Sequence, residues 1–226
     1  MKILVSWSTG KDSAWMLHVL QATHPGAVAG LLSTTNEAVD RVAMHGVRRA
    51  VLEAQAAAAG LPLTVVPLPW PCSNDEYEAR MGAAVATAVR DGYTHVAFGD
   101  LFLEDVRRYR EDRLTGTGLA PLFPLWQAMP TPDLARAMIA GGLQATLTCV
   151  DTRVLPASFA GRAFDASLLA DLPAGVDPCG ERGEFHSCAW DGPMFAHPLS
   201  LATGEVVLRD PFVFIDLDFP RGPHPG

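Results

Sequence analysis

The chain is poor in charge and has no long apolar run. Charged residues make up 19% of its 226 residues, and no run approaches the ~18 apolar residues that a membrane helix needs. Lys and Arg number 17 against 25 Asp and Glu, so the formal net charge is −8. Proteins that hold nucleic acid through its phosphates need clustered basic residues. The composition therefore argues against a membrane protein and against nucleic acid as the principal partner.

Cysteine is also scarce, and its spacing excludes the usual cysteine motifs. The four cysteines, Cys72, Cys149, Cys179 and Cys188, form no CxxC pair, and a chain of this length needs no disulfide staples. Cys179, His186 and Cys188 lack a fourth ligand and the usual zinc spacing. The first residues contain only a short apolar run, unlike a secretory signal. We expect reduced thiols, a buried first strand and a cytoplasmic protein.

Short apolar segments alternate with helical periodicity through the first half. The predicted strands cover residues 3–7, 27–32, 63–68 and 95–98. A helix over 11–20 follows the first strand, and two more are predicted from apolar stripes: Met44, Val47, Val51, Ala54 and Ala58; and Tyr77, Met81, Ala84, Val85 and Ala88. Gly60 ends the second helix, and Ser73 with Glu76 forms a capping box before the third. The pattern predicts an α/β fold, with a parallel sheet covered by helices on both faces.

The pattern changes after about residue 125. Thr131 is predicted to cap a helix with Pro132 at its first position, and Gly141-Gly142 to end it. Strands are predicted over residues 143–150, 206–208 and 212–219, with Thr203-Gly204 as a turn. We therefore predict a nucleotide-binding domain over 1–125, a smaller substrate-binding α+β domain over 126–219 and a disordered tail over 220–226.

The segment from Ser8 to Ser13, Ser-Thr-Gly-Lys-Asp-Ser, lies between the first strand and the first helix. Backbone N–H groups and the positive end of the helix dipole converge at such a junction and favour a phosphate. Gly10 permits close approach, Lys11 adds a mobile positive charge, and Asp12 can hold Mg²⁺. The segment is not a Walker A loop, because Val5 and Asp12 occupy positions where that motif needs Gly and Ser or Thr. An ordinary polar turn is the alternative.

This segment resembles the Ser-Gly-Gly-Lys-Asp-Ser motif of the PP-loop ATP pyrophosphatases, a group with a Rossmann-like (HUP-type) fold related to the adenine nucleotide α-hydrolases. Within that group, nearly the whole chain resembles the diphthine–ammonia ligase family. The shared motifs are Gly99-Asp100, Arg108-Tyr109-Arg110, Pro124-Leu125-Trp126 and the stretch Cys-Gly-Glu-Arg-Gly-Glu-Phe-His over 179–186. Thr9 replaces a Gly of the family motif, and Arg182 replaces an Asn. Because a β-branched residue disfavours positive φ, Thr9 predicts a differently shaped turn or weaker phosphate binding.

The resemblance implies an enzyme that converts a carboxylate into an amide with ATP and ammonium, releasing AMP and pyrophosphate. A carboxylate resists attack by an amine, so it must first become a mixed anhydride with AMP. The family's acceptor is a modified histidine on a translation elongation factor; its bacterial members would need another carboxylate. The implied cofactors are ATP and Mg²⁺, and a homodimer is compatible with the resemblance.

The motifs and strand ends together predict the site residues. We expect catalytic roles for Lys11, Asp12, Asp100, Glu181, Glu184 and His186. ATP is expected to contact Ser6, Ser8, Thr9, Gly10, Lys11, Asp12, Ser13, Ser33, Thr34 and Gly99. The acceptor is expected to contact His45, Arg107, Tyr109 and Glu184, and Mg²⁺ to bind Asp12 and Asp100. A neutral His186 or a carboxylate of Glu181 or Glu184 would take a proton from ammonium.

Structural roles compete with several of these assignments. Asp100 could be a helix cap, His45 could lie at the edge of the core beside the stripe of its helix, and the 179–186 stretch could be a hydrogen-bonded loop. Three other functions remain open. A PP-loop thiolase acting on tRNA would usually need a cysteine pair and a basic surface. A nucleotide sensor would bind ATP without turnover, and a plain pyrophosphatase would release AMP without an acceptor.

Overall fold

A computed structural model describes residues 1–43 and 45–220 of the chain. Two β-sheets occupy its two halves, and a continuous apolar core joins them. Met44 and residues 221–226, which include most of the predicted tail, lie outside the described residues.

The N-terminal half contains a mainly parallel sheet and four helices. Its strands are β1 (Ile3–Ser6), β2 (Val28–Asn36), β3 (Arg41–Val42), β4 (Leu63–Leu68), β5 (His95–Ala97) and β6 (Ala120–Leu122). Its helices are α1 (Lys11–Thr23), α2 (Arg49–Ala59), α3 (Asn74–Arg90) and α4 (Glu104–Leu114). Pairing gives the parallel order β4-β2-β1-β5-β6, with β3 antiparallel to the end of β2.

Apolar residues on both faces of the central strands explain why helices cover both sides of this sheet. Ile3 and Val5 of β1 pack with α1 and α2, whereas Leu4 belongs to a second cluster with β2, β5 and α3. The chain runs from β1 to β2 and β4, then crosses back to β5 and β6 on the other side of β1. Ligands of such sheets bind where the strand order reverses, outside the carboxyl ends of the strands. The α/β prediction, with helices on both faces, is confirmed.

The C-terminal half contains a separate antiparallel sheet in the order β8-β7-β10-β9. Its elements are α5 (Thr131–Ala140), β7 (Gln144–Asp151), a 3₁₀ turn (Ala157–Phe159), α6 (Ala166–Asp171), β8 (Phe185–Asp191), β9 (Ala202–Arg209) and β10 (Phe212–Asp218). Strand β8 lies against the N-terminal half, where the N–H of Ala189 donates to the carbonyl of Thr9 over 2.9 Å. This contact places β8 beside the loop between β1 and α1.

The predicted start of the second helix is wrong. Helix α2 begins at Arg49, and His45 lies in a turn before it. The N–H of Val42 bonds the carbonyl of Val47, and Gly46 between them has a φ of 68°. A left-handed residue cannot continue an α-helix, so Val47 and His45 precede α2.

Two further local predictions are wrong. Thr131 is the first residue of α5 and not its cap, because its hydroxyl donates to Oδ2 of Asp177 over 2.8 Å. Thr203 and Gly204 lie inside β9, and the chain turns instead at Asp210-Pro211 between β9 and β10. Among the described helices, none combines the length and the apolar character that a bilayer span requires.

Candidate active site

A cavity of about 670 Å³ lies at the carboxyl ends of β1, β2 and β5. Ser6, Ser33 and Thr34 line it from the strands, and helices α3 and α4 form its opposite wall. The apolar stripe of α3 faces this cavity: Tyr77 and Met81 are half-buried and line it, with Val85. These side chains pack partly against the second apolar cluster and also border the cavity, and Ala88 is the residue of the predicted stripe that is buried.

Polar groups of the cavity wall include an unpaired hydroxyl. Ser33 is 2% exposed, and its Oγ has no hydrogen-bond partner within residues 1–43 and 45–220. Tyr109, Arg110 and Arg113 of α4 add a phenol and two cations to the wall. Buried polar atoms normally have a partner, so the Ser33 hydroxyl is suited to bond a ligand in the cavity.

The loop after β1 keeps a left-handed turn at Thr9, whose φ is 71°. Two donors hold this residue through its carbonyl: the N–H of Ala189 at 2.9 Å and Nε2 of Gln55 at 3.0 Å. Gln55 is fully buried and also accepts from Nε1 of Trp7 over 2.9 Å. Contacts from α2 and β8 thus impose on Thr9 a conformation that a β-branched residue disfavours.

Several polar groups of this loop bond within the protein. The N–H of Gly10 donates to Oγ of Ser8 over 3.3 Å, and the Ser8 hydroxyl bonds Oγ of Ser13 over 3.2 Å. The N–H of Lys11 donates to Oγ of Ser187 on β8 over 3.2 Å. A phosphate bound at this loop would therefore have to replace some of these internal bonds.

Lys11 does not supply the mobile charge expected from the sequence. The side chain is buried, and Nζ donates to the carboxylate of Asp12 at 2.8 Å and to the carbonyl of Cys179. It also lies 5.3 Å from the ring centroid of Phe185. Burial works to lower the pKa of Lys11, but Asp12 and the neighbouring acidic groups outweigh it and hold the pKa above its ordinary value. The ammonium therefore joins the loop to the C-terminal half.

The two carboxylates predicted to bind Mg²⁺ are each paired with a cation. Asp12 accepts from Lys11, and Asp100 accepts from Nε of Arg110 at 2.5 Å and from its Nη2 at 3.1 Å. No group of three or more potential ligands capable of holding a metal occurs in the described part of the chain. These residues therefore do not form a preassembled magnesium site, and any Mg²⁺ would arrive with the phosphates of a nucleotide.

The titratable residues of the 179–186 stretch point to different places. Oε1 of Glu181 accepts from the N–H of Leu101 over 2.7 Å, after β5. Glu184 is buried and accepts from the N–H groups of Asp177 and Arg182, beside a second cavity of about 400 Å³. Glu181 and Glu184, for which catalytic roles were both expected, therefore lie in different surroundings.

Glu181 lies in an acidic environment close to the loop after β1. Burial, assisted by the charges of Asp12 and Asp100, raises the pKa of Glu181 to about 7, against the lowering effect of its backbone hydrogen bonds. A carboxyl group with this pKa exchanges a proton near neutral pH, as a general base or acid must.

His45 connects the cavity to His186. His45 lines the cavity, and its ring centroid lies 4.8 Å from that of His186. Nδ1 of His45 lies 3.1 Å from the carbonyl of Ser187, and a Cβ built on Gly10 would lie 2.7 Å from Cε1 of His45. Burial lowers the pKa of His45 to about 4 and that of His186 to about 3, with Lys11 contributing to both. Both imidazoles are therefore neutral at pH 7.

Comparisons with known proteins show which proteins the chain resembles. Residues 131–216 match the diphthamide synthase C-terminal domain. Along nearly its whole length, the chain is similar to the diphthine–ammonia ligases of Homo sapiens and Bos taurus, with 27% identity over 98% of this chain and 90% of each relative. The chain is thus similar to diphthine–ammonia ligases along nearly its whole length. The domain match includes the 179–186 stretch, and the full-length relatives extend the similarity to the cavity.

The structure brings most of the predicted site residues to two adjoining places. One is the cavity, which contains Ser6, Ser8, Ser33, Thr34, His45 and Tyr109 of the predicted set. The other is the contact between the two halves, where Lys11, Asp12, Glu181 and His186 lie near one another. Gly99 packs directly on Asp12, since a Cβ built there would lie 3.3 Å from its backbone carbonyl carbon.

Arg107 does not face the cavity. Its guanidinium lies between the rings of Phe123 and Trp126, at 4.8 and 4.9 Å from their centroids, and Nε bonds Glu111 over 2.8 Å. This packing explains the side chain without a ligand. The predicted acceptor contact through Arg107 has no support in this geometry.

Sequence reasoning missed three residues of this family site. Gln55 holds the loop after β1, Ser187 bonds Lys11 N–H, and Arg110 pairs with Asp100 while lining the cavity. Two of them carried a signal: Arg110 belongs to the shared motif Arg108-Tyr109-Arg110, and Gln55 is a polar residue between the buried positions Leu52 and Ala56 of an apolar helix. Such a residue normally has buried hydrogen-bond partners.

Proposed function

We propose that this protein is an ATP-dependent ligase that amidates a carboxylate through an acyl-adenylate and releases AMP and pyrophosphate. The observation that carries the proposal is that His45 of the cavity wall contacts His186, which lies near Lys11, as does Glu181. The similarity to the diphthine–ammonia ligases of Homo sapiens and Bos taurus supports the same activity. In this proposal the cavity holds ATP with Ser33 and Thr34, and the acceptor reaches the contact between the two halves.

The chemistry requires two transfers. A carboxylate oxygen of the acceptor attacks the α-phosphorus of ATP, and pyrophosphate leaves. Ammonia then attacks the acyl carbon, and AMP leaves with the bonding electrons. The N-terminal end of α1 favours the negative charge of the leaving phosphates, although a bound phosphate competes with the internal bonds of Ser8 and Gly10.

Ammonium must lose a proton before it can act as the nucleophile. We assign this role to Glu181, because its pKa of about 7 suits proton exchange at neutral pH. His186, with a pKa of about 3, is a much weaker base. Its neutral ring instead positions His45 at the end of the cavity.

The cysteines argue against the thiolase alternative. Burial raises the pKa values of Cys149, Cys179 and Cys188 to about 12. Sulfur transfer needs an accessible thiolate, and these three thiols are buried and protonated at neutral pH.

Product analysis tests the proposed reaction. Incubation with MgATP, ammonium and a panel of free and peptide-borne carboxylates should yield AMP and pyrophosphate only when ammonium and a suitable carboxylate are both present. Formation of ADP and phosphate would overturn the proposal. AMP release without an acceptor would indicate a pyrophosphatase, and ATP binding without turnover would indicate a sensor.

A cavity-filling substitution tests the location of ATP. Val85→Trp should weaken ATP binding by about tenfold or more, roughly 1.4 kcal/mol, because Val85 lines the cavity. Ala83→Trp is the matched control, since Ala83 is exposed on the same helix and is not among the lining residues. Isothermal titration of both variants with an ATP analogue measures the difference. Equal affinities would place the nucleotide elsewhere.

A further inference from the structure

Strand β9 forms an exposed edge of the C-terminal sheet. Every residue from Ala202 to Arg209 is exposed, and β9 pairs only with β10 among the described strands. Val206 and Leu208 are 65% and 67% exposed. An edge strand presents unpaired N–H and C=O groups, and natural proteins usually protect such edges with charge, proline or a covering element. This edge instead has three consecutive apolar residues at its centre.

The sequence of β9 is complementary to itself in an antiparallel arrangement. If two copies pair about a two-fold axis through Val207, Glu205 of each copy lies opposite Arg209 of the other. Val206 then lies opposite Leu208 of the other copy. Opposite charges and apolar pairs directly across an antiparallel ladder are favourable, and like charges are unfavourable.

The side-chain directions agree with this register. Glu205, Val207 and Arg209 lie on one face of β9, and Val206 and Leu208 on the other, as strand alternation requires. Arg209 lies over the ring of Phe214, at 5.8 Å from its centroid, and Phe214 pairs with Val207 on the same face. Neither Glu205 nor Arg209 has a salt bridge within the described residues. Their charges are therefore available to a partner.

The irregular pairing next to Glu205 limits the length of the ladder. Ile215 pairs with Val206, but Leu217 pairs with Thr203, so a bulge lies at the Gly204 end of the strand. The regular segment therefore extends from Glu205 to Arg209, the same five residues that the two-fold register pairs. Shifting the axis to Val206 would place Glu205 opposite Val207 and Arg209 opposite Thr203, and shifting it to Leu208 would place Glu205 opposite Pro211, so either shift leaves both charges without a partner.

We propose that β9 is a homodimerisation edge, in which two copies of this chain pair their β9 strands antiparallel about Val207. Each dimer contains two Glu205–Arg209 ion pairs and a strip of four apolar side chains from Val206 and Leu208. The strand pair is shorter than a typical stable interface, so the dimer dissociates at low protein concentration. This assembly does not depend on the proposed ligase activity.

Charge reversal tests the register. Glu205→Arg and Arg209→Glu should each weaken dimerisation by about tenfold, because each places like charges opposite one another twice per dimer. The double variant should restore it. The two single variants change the net charge in opposite directions, so a general effect of net charge would change their dissociation constants in opposite directions. Sedimentation velocity over a concentration series gives the dissociation constant, and circular dichroism checks the fold of each variant.

Crosslinking tests the position of the axis. In the Cys72→Ser background, Val207→Cys should form dimers with a short thiol crosslinker, because the axis brings the two cysteines together. Ala202→Cys on the same exposed strand should not, since the register separates the two copies of that position by about 33 Å at ~3.3 Å per residue. Equal crosslinking at both positions would overturn the proposal, as would a protein that stays monomeric at all concentrations. It would also be overturned if the single charge reversals had no effect on dimerisation, or if the double variant did not restore it.

Discussion

Thr9 is the residue at which the loop after β1 departs from the motif that it resembles. It is fully buried with a φ of 71°, and its Oγ1 has no hydrogen-bond partner in the described ranges 1–43 and 45–220. Left-handed backbone costs a non-glycine residue about 1–2 kcal/mol, and Gln55 and Ala189 hold the carbonyl that keeps it there. The loop is thus shaped by its surroundings more than by its own sequence.

Replacement of Thr9 by Gly should raise the free energy of unfolding by about 1 kcal/mol. Removal of the backbone strain and of an unpaired hydroxyl outweighs the larger entropy of glycine in the unfolded chain, about 0.5–1 kcal/mol. Urea denaturation measures the change. Gly10→Ala should act in the opposite direction, because its Cβ would lie 2.7 Å from Cε1 of His45. A destabilised Thr9→Gly variant would show that the threonine side chain contributes more through packing than its backbone conformation costs.

At the scale of elements, the turn before α2 and the start of β8 meet through two imidazoles. His45 and His186 are half-buried and lie beside Lys11, so a positive charge on either ring is unfavourable. Protonation of either ring therefore destabilises the contact between the two elements. Acidification should therefore weaken this contact between the two elements.

The stability of the protein should fall as the pH drops from about 6.5 towards 4. In that range the unfolded chain binds protons at both histidines, whereas the folded chain does not until the pH nears their lowered pKa values of about 4 and 3. Glu181, with a folded pKa of about 7, acts in the opposite direction and favours the folded state at the lower pH.

The double variant His45→Gln, His186→Gln removes only the histidine contribution. Its loss of stability between pH 7 and pH 5 should therefore be smaller than that of the wild type, as measured by urea denaturation at each pH; an equal loss would refute the assignment.

At the scale of the whole molecule, an ion-pair network joins β10 to the N-terminal half. Asp216 accepts from Nη1 of Arg41 over 2.7 Å and from Nε of Arg48 over 2.9 Å. Its side chain is 13% exposed. Burial works to raise the pKa of Asp216, but the bonds from Arg48 and Arg41 outweigh it and hold the pKa below its ordinary value. The network therefore stabilises the contact at pH values above the ordinary titration range of aspartate. This stabilisation is lost as the pH falls below that range and the carboxylate is protonated.

Asp216→Ala should lower the free energy of unfolding by about 2 kcal/mol, because it leaves two arginines without their shared carboxylate. Asp218→Ala is the matched control two residues further on. Its side chain is 38% exposed and lies 3.3 Å from Arg48, so its loss should cost under ~1 kcal/mol. Thermal unfolding followed by calorimetry compares the two. Similar effects of both substitutions would show that the shared carboxylate is not the main link.

Local pattern was enough to predict the α/β class and the central strands and helices of the N-terminal half. The apolar run of β1, the polar loop from Ser8 to Ser13 and the periodicity of α1 predict a strand, a turn and a helix, because these signals arise between residues near one another in the chain. The same holds for the Ser73 cap of α3, whose hydroxyl accepts from the N–H of Glu76. The family resemblance could be recognised from the same short motifs.

Only the tertiary structure decided where the functional side chains point. Lys11 meets the carbonyl of Cys179, 168 residues away in the chain, and Gln55 meets Thr9 and Ala189 at once. Glu181 and Glu184 diverge because their backbone partners, Leu101 and Asp177, lie in different parts of the fold. Sequence patterns report local conformation and burial. Contacts between distant segments depend on how the two sheets pack, and no local pattern encodes that packing.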